Sequence, residues 1–191
     1  IYVPQGIISE VAKKKSLKVV TWFTAYKNKS FLFSHDETYH KSLLKEPSKE
    51  WEDIEFKINE ENKLNDYLSS RKMGSNDWVY FHNKNPNFNF EIKNYNNLKE
   101  TKFVSLFTNV VWDAQLFFDQ NIFDDMLDWL FKTIQYFIDQ NKILVVRAHP
   151  AEISGTLPSK QKISDEIKKK FGKLPNNIVF IAPENPISSY S

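Results

Sequence analysis

A chain of 191 residues with 41% hydrophobic and 15% aromatic residues can form one domain or parts of two, and this composition excludes a wholly disordered protein. Its 26 Lys and Arg against 24 Asp and Glu give a net charge of +2, which excludes the continuous basic face of a nucleic-acid-binding protein. The absence of cysteine excludes disulfides, thiol nucleophiles and cysteine-ligated metals, and it favours a reducing compartment.

The apolar stretches of the chain are too short to cross a membrane. The strongest, residues 127–131 and 143–146, fall far short of the roughly 20 residues that a spanning helix needs. Residues 1–4 contain no initiator Met, basic region or cleavage site, and residues 186–191 stop where a helix is expected to begin. We therefore expect these residues to be a piece of a longer protein, and we expect no transmembrane segment within the piece.

Residues 1–82 predict the end of a first α/β domain together with a helical connection. Apolar side chains at helical spacing and closing lysines predict a helix over 7–15, and the β-branched run at 17–23 predicts a strand. Residues 31–46 mix aromatic and polar side chains, which favours a site loop over a core element. The charged stretch 47–71 is compatible with one or two helices.

Residues 83–101 are rich in Asn and predict a linker, after which residues 102–191 show a βαβαβ pattern. Strands are predicted at 103–108, 143–147 and 178–181, with helices at 122–140 and 159–171. The nearly continuous apolar strands are typical of parallel strands covered on both faces. The predicted fold class is therefore α/β, with a parallel Rossmann-like βαβαβ unit that follows an α/β remnant of a first domain.

Polar residues follow each of the three strands predicted after residue 102. Ligands of open α/β sheets bind beyond the carboxyl ends of the strands, so these residues are candidate ligand contacts. After the first strand, Asn109 suits a hydroxyl or phosphate, and Asp113 either contacts the ligand or caps the next helix. At the end of the second, Arg147, His149 and Glu152 offer two cations and a carboxylate around a proline-fixed turn.

The third predicted strand is followed by residues 183–189, where Pro186 suits a first helical turn. The hydroxyls of Ser188 and Ser189, with the free N–H groups of that turn, would form an anion site. Ordinary capping by Asn185 is the alternative. Three polar strand ends together predict one crevice for an anionic ligand.

A fourth candidate lies in the first domain, where His35, Asp36 and His40 stand within six positions. A His beside a carboxylate can act as a general base towards a sugar hydroxyl. The two histidines could also ligate a metal, but no third ligand stands at a recognisable spacing, so no metal site is predicted. A solvated loop is the remaining alternative.

These elements resemble those of bacterial capsule polysaccharide biosynthesis proteins, a group of glycosyltransferase-like enzymes. The resemblance spans almost the whole chain and is carried by YVPQG at 2–6, SHDETYH at 34–40, TNVVWDAQ at 108–115, RAHPAE at 147–152 and PENPISS at 183–189. The His-Pro and Ser-Ser elements are also similar to the pair found in bacterial sialyl- and Kdo-type transferases. This likeness implies that His149, Ser188 and Ser189 contact the donor's phosphate or nucleotide.

The resemblance implies a two-domain, glycosyltransferase-B-like fold of Rossmann-like halves with the active site in the cleft between them. This chain would hold the end of the first half, the connection and the start of the second. The strands that usually contact the base and ribose would lie outside it, which leaves open whether these 191 residues are active alone.

The implied activity is sugar transfer from a nucleotide-sugar donor to a glycan or glycolipid acceptor, with no further cofactor. The expected location is the cytoplasm, and peripheral association with the inner face of the membrane is compatible with it. A sugar-nucleotide epimerase or hydrolase, and a non-catalytic binding domain of the capsule machinery, are the alternatives.

Overall fold

The computed structural model describes residues 3–25, 27–37, 46–73, 102–113, 122–154, 158–187 and 189. The chain divides into two compact units, Ile1–Tyr80 and Phe81–Ser191. The predicted linker at 83–101 lies outside the described residues. None of the helices in the described segments combines the length and the apolar character that a membrane crossing requires.

The first unit contains helices and an antiparallel pair of strands among its described residues. Its helices are α1 (Val3–Lys14), α2 (Ser48–Glu52) and α3 (Ile58–Met73), and its strands are β1 (Val20–Thr24) and β2 (Phe31–His35). The two strands pair so that Trp22 lies opposite Phe33.

Strand β2 corrects the prediction of a site loop at residues 31–35, whereas residues 38–45 of that prediction lie outside the described residues. Its large apolar side chains favour a pleated strand, and β1 supplies the pairing partner. Because the pair is antiparallel, the helix-then-strand pattern at the start of the chain does not lead into a parallel sheet among the described residues. In this part of the first unit no apolar side chain is buried, and both Trp22 and Phe33 are exposed.

The second unit has the predicted βαβαβ order. Its elements are β3 (Val104–Phe107), α4 (Met126–Asp139), β4 (Leu144–Arg147), a short 3₁₀ turn (Pro150–Glu152), α5 (Ile163–Phe171) and β5 (Ile178–Ile181). The strands form a parallel sheet in the order β3-β4-β5, which confirms the mixed α/β class. Both helices begin about one turn later than predicted. For α4 the reason is Asp125, whose carboxylate accepts from the backbone N–H of Asp128 at 2.7 Å.

Helices α4 and α5 pack on the same face of the sheet. One buried cluster joins the two helices to alternate strand residues: Leu106, Met126, Leu130, Ile134, Leu144, Val146, Ala148, Ile163, Ile167 and Ile178. Crossovers of the same hand between strands in sequential order place their helices on one side of the sheet, and both helices lie on one side here. The opposite face of the sheet carries a second buried cluster of Val145, Val179 and Ile181.

Strand β3 is more exposed than predicted, because the sequence predicts strands that are covered on both faces. Val104 and Phe107 are 50% and 53% exposed, whereas every residue of β4 is buried. Because β4 lies between its two neighbours, β3 is an edge strand of the described sheet. Among the described residues no strand pairs with its outer edge, and an edge of this kind pairs readily with a further strand.

Candidate functional site

The three strands of the parallel sheet end at the same level. Phe107 is in register with Arg147, and Arg147 is in register with Ile181; each is the last residue of its strand. The three predicted polar segments therefore begin at one edge of the sheet. This is the edge at which open α/β sheets bind ligands.

Hydrogen bonds continue past the strand ends and join the segments. The N–H of Thr108 donates to the carbonyl of Arg147 at 3.0 Å, and the N–H of Ala148 donates to that of Ile181 at 3.0 Å. The hydroxyl of Thr108 donates to the carbonyl of Arg147 at 3.4 Å and accepts from the N–H of His149 at 3.2 Å. Thr108 is buried, so its hydroxyl bridges the first and second segments from inside the fold.

The Arg147 side chain ties the end of β4 to the turn that follows β5. Its Nη1 donates to the carbonyl of Ala182 at 3.2 Å and its Nη2 donates to the carbonyl of Asn185 at 2.9 Å. Arg147 is only 4% exposed, and its Nε has no hydrogen-bond partner. The guanidinium therefore holds the 182–185 turn through main-chain carbonyls.

Burial leaves the charge of Arg147 poorly compensated. Desolvation lowers the pKa of the guanidinium, and the nearby carboxylate of Glu184 acts in the opposite direction. Glu184 is exposed, and in the described segments no carboxylate lies within ion-pair distance of Arg147. A buried cation held only by carbonyl oxygens favours the binding of an anion nearby.

His149 begins the turn that follows β4. Its Nδ1 accepts from the backbone N–H of Ala151 at 3.0 Å. A ring nitrogen that accepts a hydrogen bond carries no proton, so the neutral ring has its proton on Nε2. The half-buried His149 ring therefore has Nε2–H as its donor, a group that suits a phosphate oxygen.

The side chain of Glu152 lies inside the fold, where its carboxyl reaches the start of α5. It is 2% exposed, its Oε1 accepts from the N–H of Ile163 at 3.0 Å, and its Oε2 has no partner. Burial raises the pKa of this carboxyl; the Ile163 bond and Lys162 oppose the rise, while Asp165 and Glu184 add to it. The structure thus places this predicted ligand contact away from solvent.

Asn109 and Asp113 are exposed and stabilise their own turn. The Nδ2 of Asn109 donates to the carboxylate of Asp113 at 2.6 Å, and its Oδ1 accepts from the N–H of Val110 at 2.9 Å. The N–H of Asp113 donates to the carbonyl of Val110 at 3.1 Å. The cap of α4, the helix predicted from residue 122, is Asp125 and not Asp113.

The segment after β5 is organised around Asn185. Its N–H donates to the carbonyl of Ala182 at 3.1 Å, and its Oδ1 accepts from the N–H of Ile187 at 3.0 Å. This is the capping-type bond that the sequence offered as the alternative. Pro186 and Ile187 are not helical, so the helix predicted to begin at Pro186 is absent from the described residues.

His35 and Asp36 stand at the end of β2 in the first unit. The carboxylate of Asp36 accepts from the N–H of Val19 at 3.0 Å, and the N–H of Asp36 donates to the carbonyl of Val19 at 2.7 Å. Asp36 has a φ of 56°, in the left-handed region that Asp tolerates. Asp36 therefore closes the strand pair, and His35 is the exposed histidine beside it.

Two predicted site residues, His40 and Ser188, lie outside the described residues, while Ser189 is described and exposed. Within the described ranges no group of three or more His, Asp and Glu side chains is arranged to hold a metal ion.

The predictions gave no role to Thr108 or Ala182, which help to build this site. A threonine after an apolar strand is too common to single out. Ala182 contributes only its main-chain carbonyl, so the identity of its side chain does not indicate this role. Thr108 ends the strand predicted at 103–108 and Ala182 directly follows the one predicted at 178–181, and these positions are the usable indication.

Comparison with known proteins yields no match: no family model matches the chain, and no curated protein and no solved structure is significantly similar to it. The resemblance to capsule biosynthesis proteins therefore rests on the sequence elements alone.

Proposed function

We propose that the chain is part of a glycosyltransferase that uses a nucleotide-sugar donor in capsule or surface polysaccharide assembly. The observation that carries the proposal is the joining of three strand-end segments, the first two through the Thr108 hydroxyl and the last two through the buried guanidinium of Arg147. Cations and hydrogen-bond donors at the carboxyl ends of parallel strands suit the phosphates of a nucleotide. The resemblance of the sequence elements to those of capsule proteins supports the sugar-transfer part.

For the fold, we propose that β3, β4 and β5 form the first half of a Rossmann-like domain in a two-domain, glycosyltransferase-B-like protein. In a doubly wound sheet the first strand of each half is central, and the ligand binds where the strand order reverses. The unreversed order β3-β4-β5 and the exposed edge of β3 support this arrangement. A further strand beside β3 would place residues 108–113 at the crevice.

The proposal assigns stabilisation of the leaving phosphate to His149 and Arg147. The Nε2–H of His149 donates to a phosphate oxygen, and the charge of Arg147 acts through the low-dielectric interior without direct contact. Asn109 binds a donor hydroxyl or phosphate, and Ser188 and Ser189 bind the phosphate from the segment after β5.

The proposal assigns the acceptor's proton to His35. The acceptor oxygen forms a bond to the anomeric carbon of the donor sugar, and the bond from that carbon to the phosphate oxygen breaks. The electron pair of the broken bond stays with the phosphate, and the acceptor's proton moves to the ring of His35. Asp36 keeps the strand end in place through Val19. His40 remains a second candidate base.

Nucleotide binding tests the proposal. UDP, GDP and CMP, and their sugar derivatives, are titrated into the 191-residue chain and into the proposed two-domain parent by isothermal calorimetry. The His149→Ala variant should weaken binding about 10- to 150-fold, which corresponds to about 1.5–3 kcal/mol for a charge-assisted hydrogen bond. Absence of binding by all of these nucleotides in the parent would overturn the proposal.

Lys142→Ala is the matched control for His149→Ala, because Lys142 is exposed and lies at the opposite end of β4. This variant should leave nucleotide affinity within about twofold of the wild-type value. An equal loss in both variants would show that His149 makes no specific contact.

Product analysis with the parent protein separates transfer from the alternatives. Transfer of sugar to a glycan or glycolipid acceptor supports the proposal. Epimerised or hydrolysed donor without transfer would favour the other enzyme classes. Unchanged polysaccharide output with His149→Ala would favour a non-catalytic binding domain.

A further inference from the structure

Glu152 connects three parts of the second unit through one residue. Its N–H donates to the carbonyl of His149 at 3.0 Å, and its carbonyl accepts from the N–H of Ser159 at 3.0 Å. Its carboxyl Oε1 accepts from the N–H of Ile163, the first residue of α5, at 3.0 Å. The end of the His149 turn is therefore fastened to the start of a helix that packs in the core.

This attachment stabilises the start of α5 but leaves buried polar atoms unpaired. The Oε2 of Glu152 is buried without a hydrogen-bond partner, and so is the hydroxyl of Ser159. Such atoms destabilise a protein, but an apolar side chain at position 152 would leave the buried N–H of Ile163 without its acceptor. The carboxyl therefore caps α5, and the same bond fixes the end of the His149 turn.

The geometry of the turn gives the Glu152 carboxyl a second role. The Nδ1 of His149 accepts from Ala151, which lies directly before Glu152. This bond requires the N–H of Ala151 to point at the ring, and that direction depends on the fastening of the turn at Glu152. If the turn is released, the ring loses the bond that keeps the proton on Nε2.

We infer that Glu152 is a positioning residue whose carboxyl, bound to the start of α5, holds the His149 ring with Nδ1 as acceptor and Nε2–H as donor. The inference rests on the proposed function, in which the Nε2–H group of His149 contacts the phosphate. Glu152 itself touches no ligand.

The first test reads the His149 ring directly. Long-range ¹H–¹⁵N correlation spectra of the ¹⁵N-labelled chain distinguish a protonated from an unprotonated ring nitrogen, and the spectrum of His149→Gln assigns the signals among the four histidines. The expected pattern in the wild type is an unprotonated Nδ1 and a protonated Nε2. A ring with its proton on Nδ1, or one that exchanges between both forms, would overturn the inference.

Two variants then separate geometry from charge. Glu152→Gln keeps an acceptor oxygen at the same reach, so the ring pattern and the affinity for UDP, GDP or CMP should stay within about twofold of wild type. Glu152→Asp keeps the charge but is one methylene too short to reach Ile163, so it should mix the ring forms and weaken binding about tenfold or more. The reverse ranking would overturn the inference.

Ser159→Ala is the control, because it removes a neighbouring buried hydroxyl that holds nothing in place. It should change neither the ring pattern nor nucleotide affinity; disruption equal to that of Glu152→Asp would indicate general packing and would contradict the positioning role. If circular dichroism shows that Glu152→Asp is unfolded, Glu152→Gln decides, since loss of the ring pattern in that variant refutes the inference.

The ring spectrum is recorded without a ligand, so it tests the positioning role of Glu152 independently of the proposed function. If no nucleotide binds but the ring pattern follows the fastening of Glu152, the proposed function fails and the positioning of His149 stands. If nucleotides bind and the ring pattern is insensitive to Glu152→Asp, the positioning fails alone.

Discussion

Replacement of Arg147 by Met tests how the strand-end segments are held together. The change removes two donors that bind the carbonyls of Ala182 and Asn185, and it removes a buried charge. Met is unbranched and adaptable, so it fills much of the space that the aliphatic part of Arg147 occupies. The 182–185 turn should loosen while the sheet stays folded.

Two opposing contributions set the size of the effect. Hydrogen bonds from a charged donor contribute about 1.5–3 kcal/mol each, or about 3–6 kcal/mol for the pair. Desolvation of a guanidinium that is 4% exposed and has no carboxylate partner in the described segments costs several kcal/mol. We therefore expect Arg147→Met to lower the free energy of unfolding by no more than about 2 kcal/mol.

Urea denaturation measures the global stability of Arg147→Met, and amide hydrogen exchange measures the local effect. The amide of Ile187, bound to the side chain of Asn185, should exchange at least about tenfold faster, while the amides of β4 keep their protection. Lys142→Met, which removes an exposed charge, is the control for charge alone. A loss above about 4 kcal/mol, or unchanged exchange at Ile187, would refute the reasoning.

Two further predictions concern the interior of the second unit. Because burial raises the pKa of Glu152 above its unfolded value, the folded state binds the proton more tightly. The contribution of Glu152 to the free energy of unfolding should therefore decline as pH rises from the ordinary Glu pKa of 4.5 through the raised folded pKa. Urea denaturation at several pH values should show the free energy of unfolding of Glu152→Gln rising relative to that of wild type over that range. A difference between the two that does not change with pH would contradict burial of the carboxyl as the cause. Leu130→Ala should cost about 2–5 kcal/mol in the same assay, because Leu130 is fully buried between helix and sheet, whereas Ile122→Ala, at a 91% exposed position, should change stability by less than about 0.5 kcal/mol. Equal losses in these two variants would show that the described core is wrong.

The sheet of the second unit could be predicted because burial dominates its residues. Strand β5 begins and ends where its apolar run does, since Ile178 and Ile181 are both buried. Helix α4 shows its buried stripe, with Met126, Leu130 and Ile134 at helical spacing. The predicted start of this helix at Ile122 is too early because this apolar residue extends the helical pattern. The helix begins only after its cap at Asp125.

Elements set by pairing and by single hydrogen bonds could not be predicted. Strand β2 has few buried residues and depends on its register with β1, which the polar residues after Phe33 obscured. Arg147 was predicted to contact a ligand because a cation at a strand end suggests one. Its donors are instead directed to the carbonyls of Ala182 and Asn185, and no residue type marks a carbonyl as an acceptor.

Chemical-shift mapping of nucleotide binding tests most directly whether the three strand ends form one anion site. UDP, GDP and CMP are titrated into the ¹⁵N-labelled chain, and the backbone amides are followed. Saturable shifts should be largest at Thr108, His149 and Asn185, which the hydrogen bonds place at one edge of the sheet. No saturable shift with any nucleotide, or shifts confined to the strands β1 and β2, would contradict a nucleotide site at the strand ends.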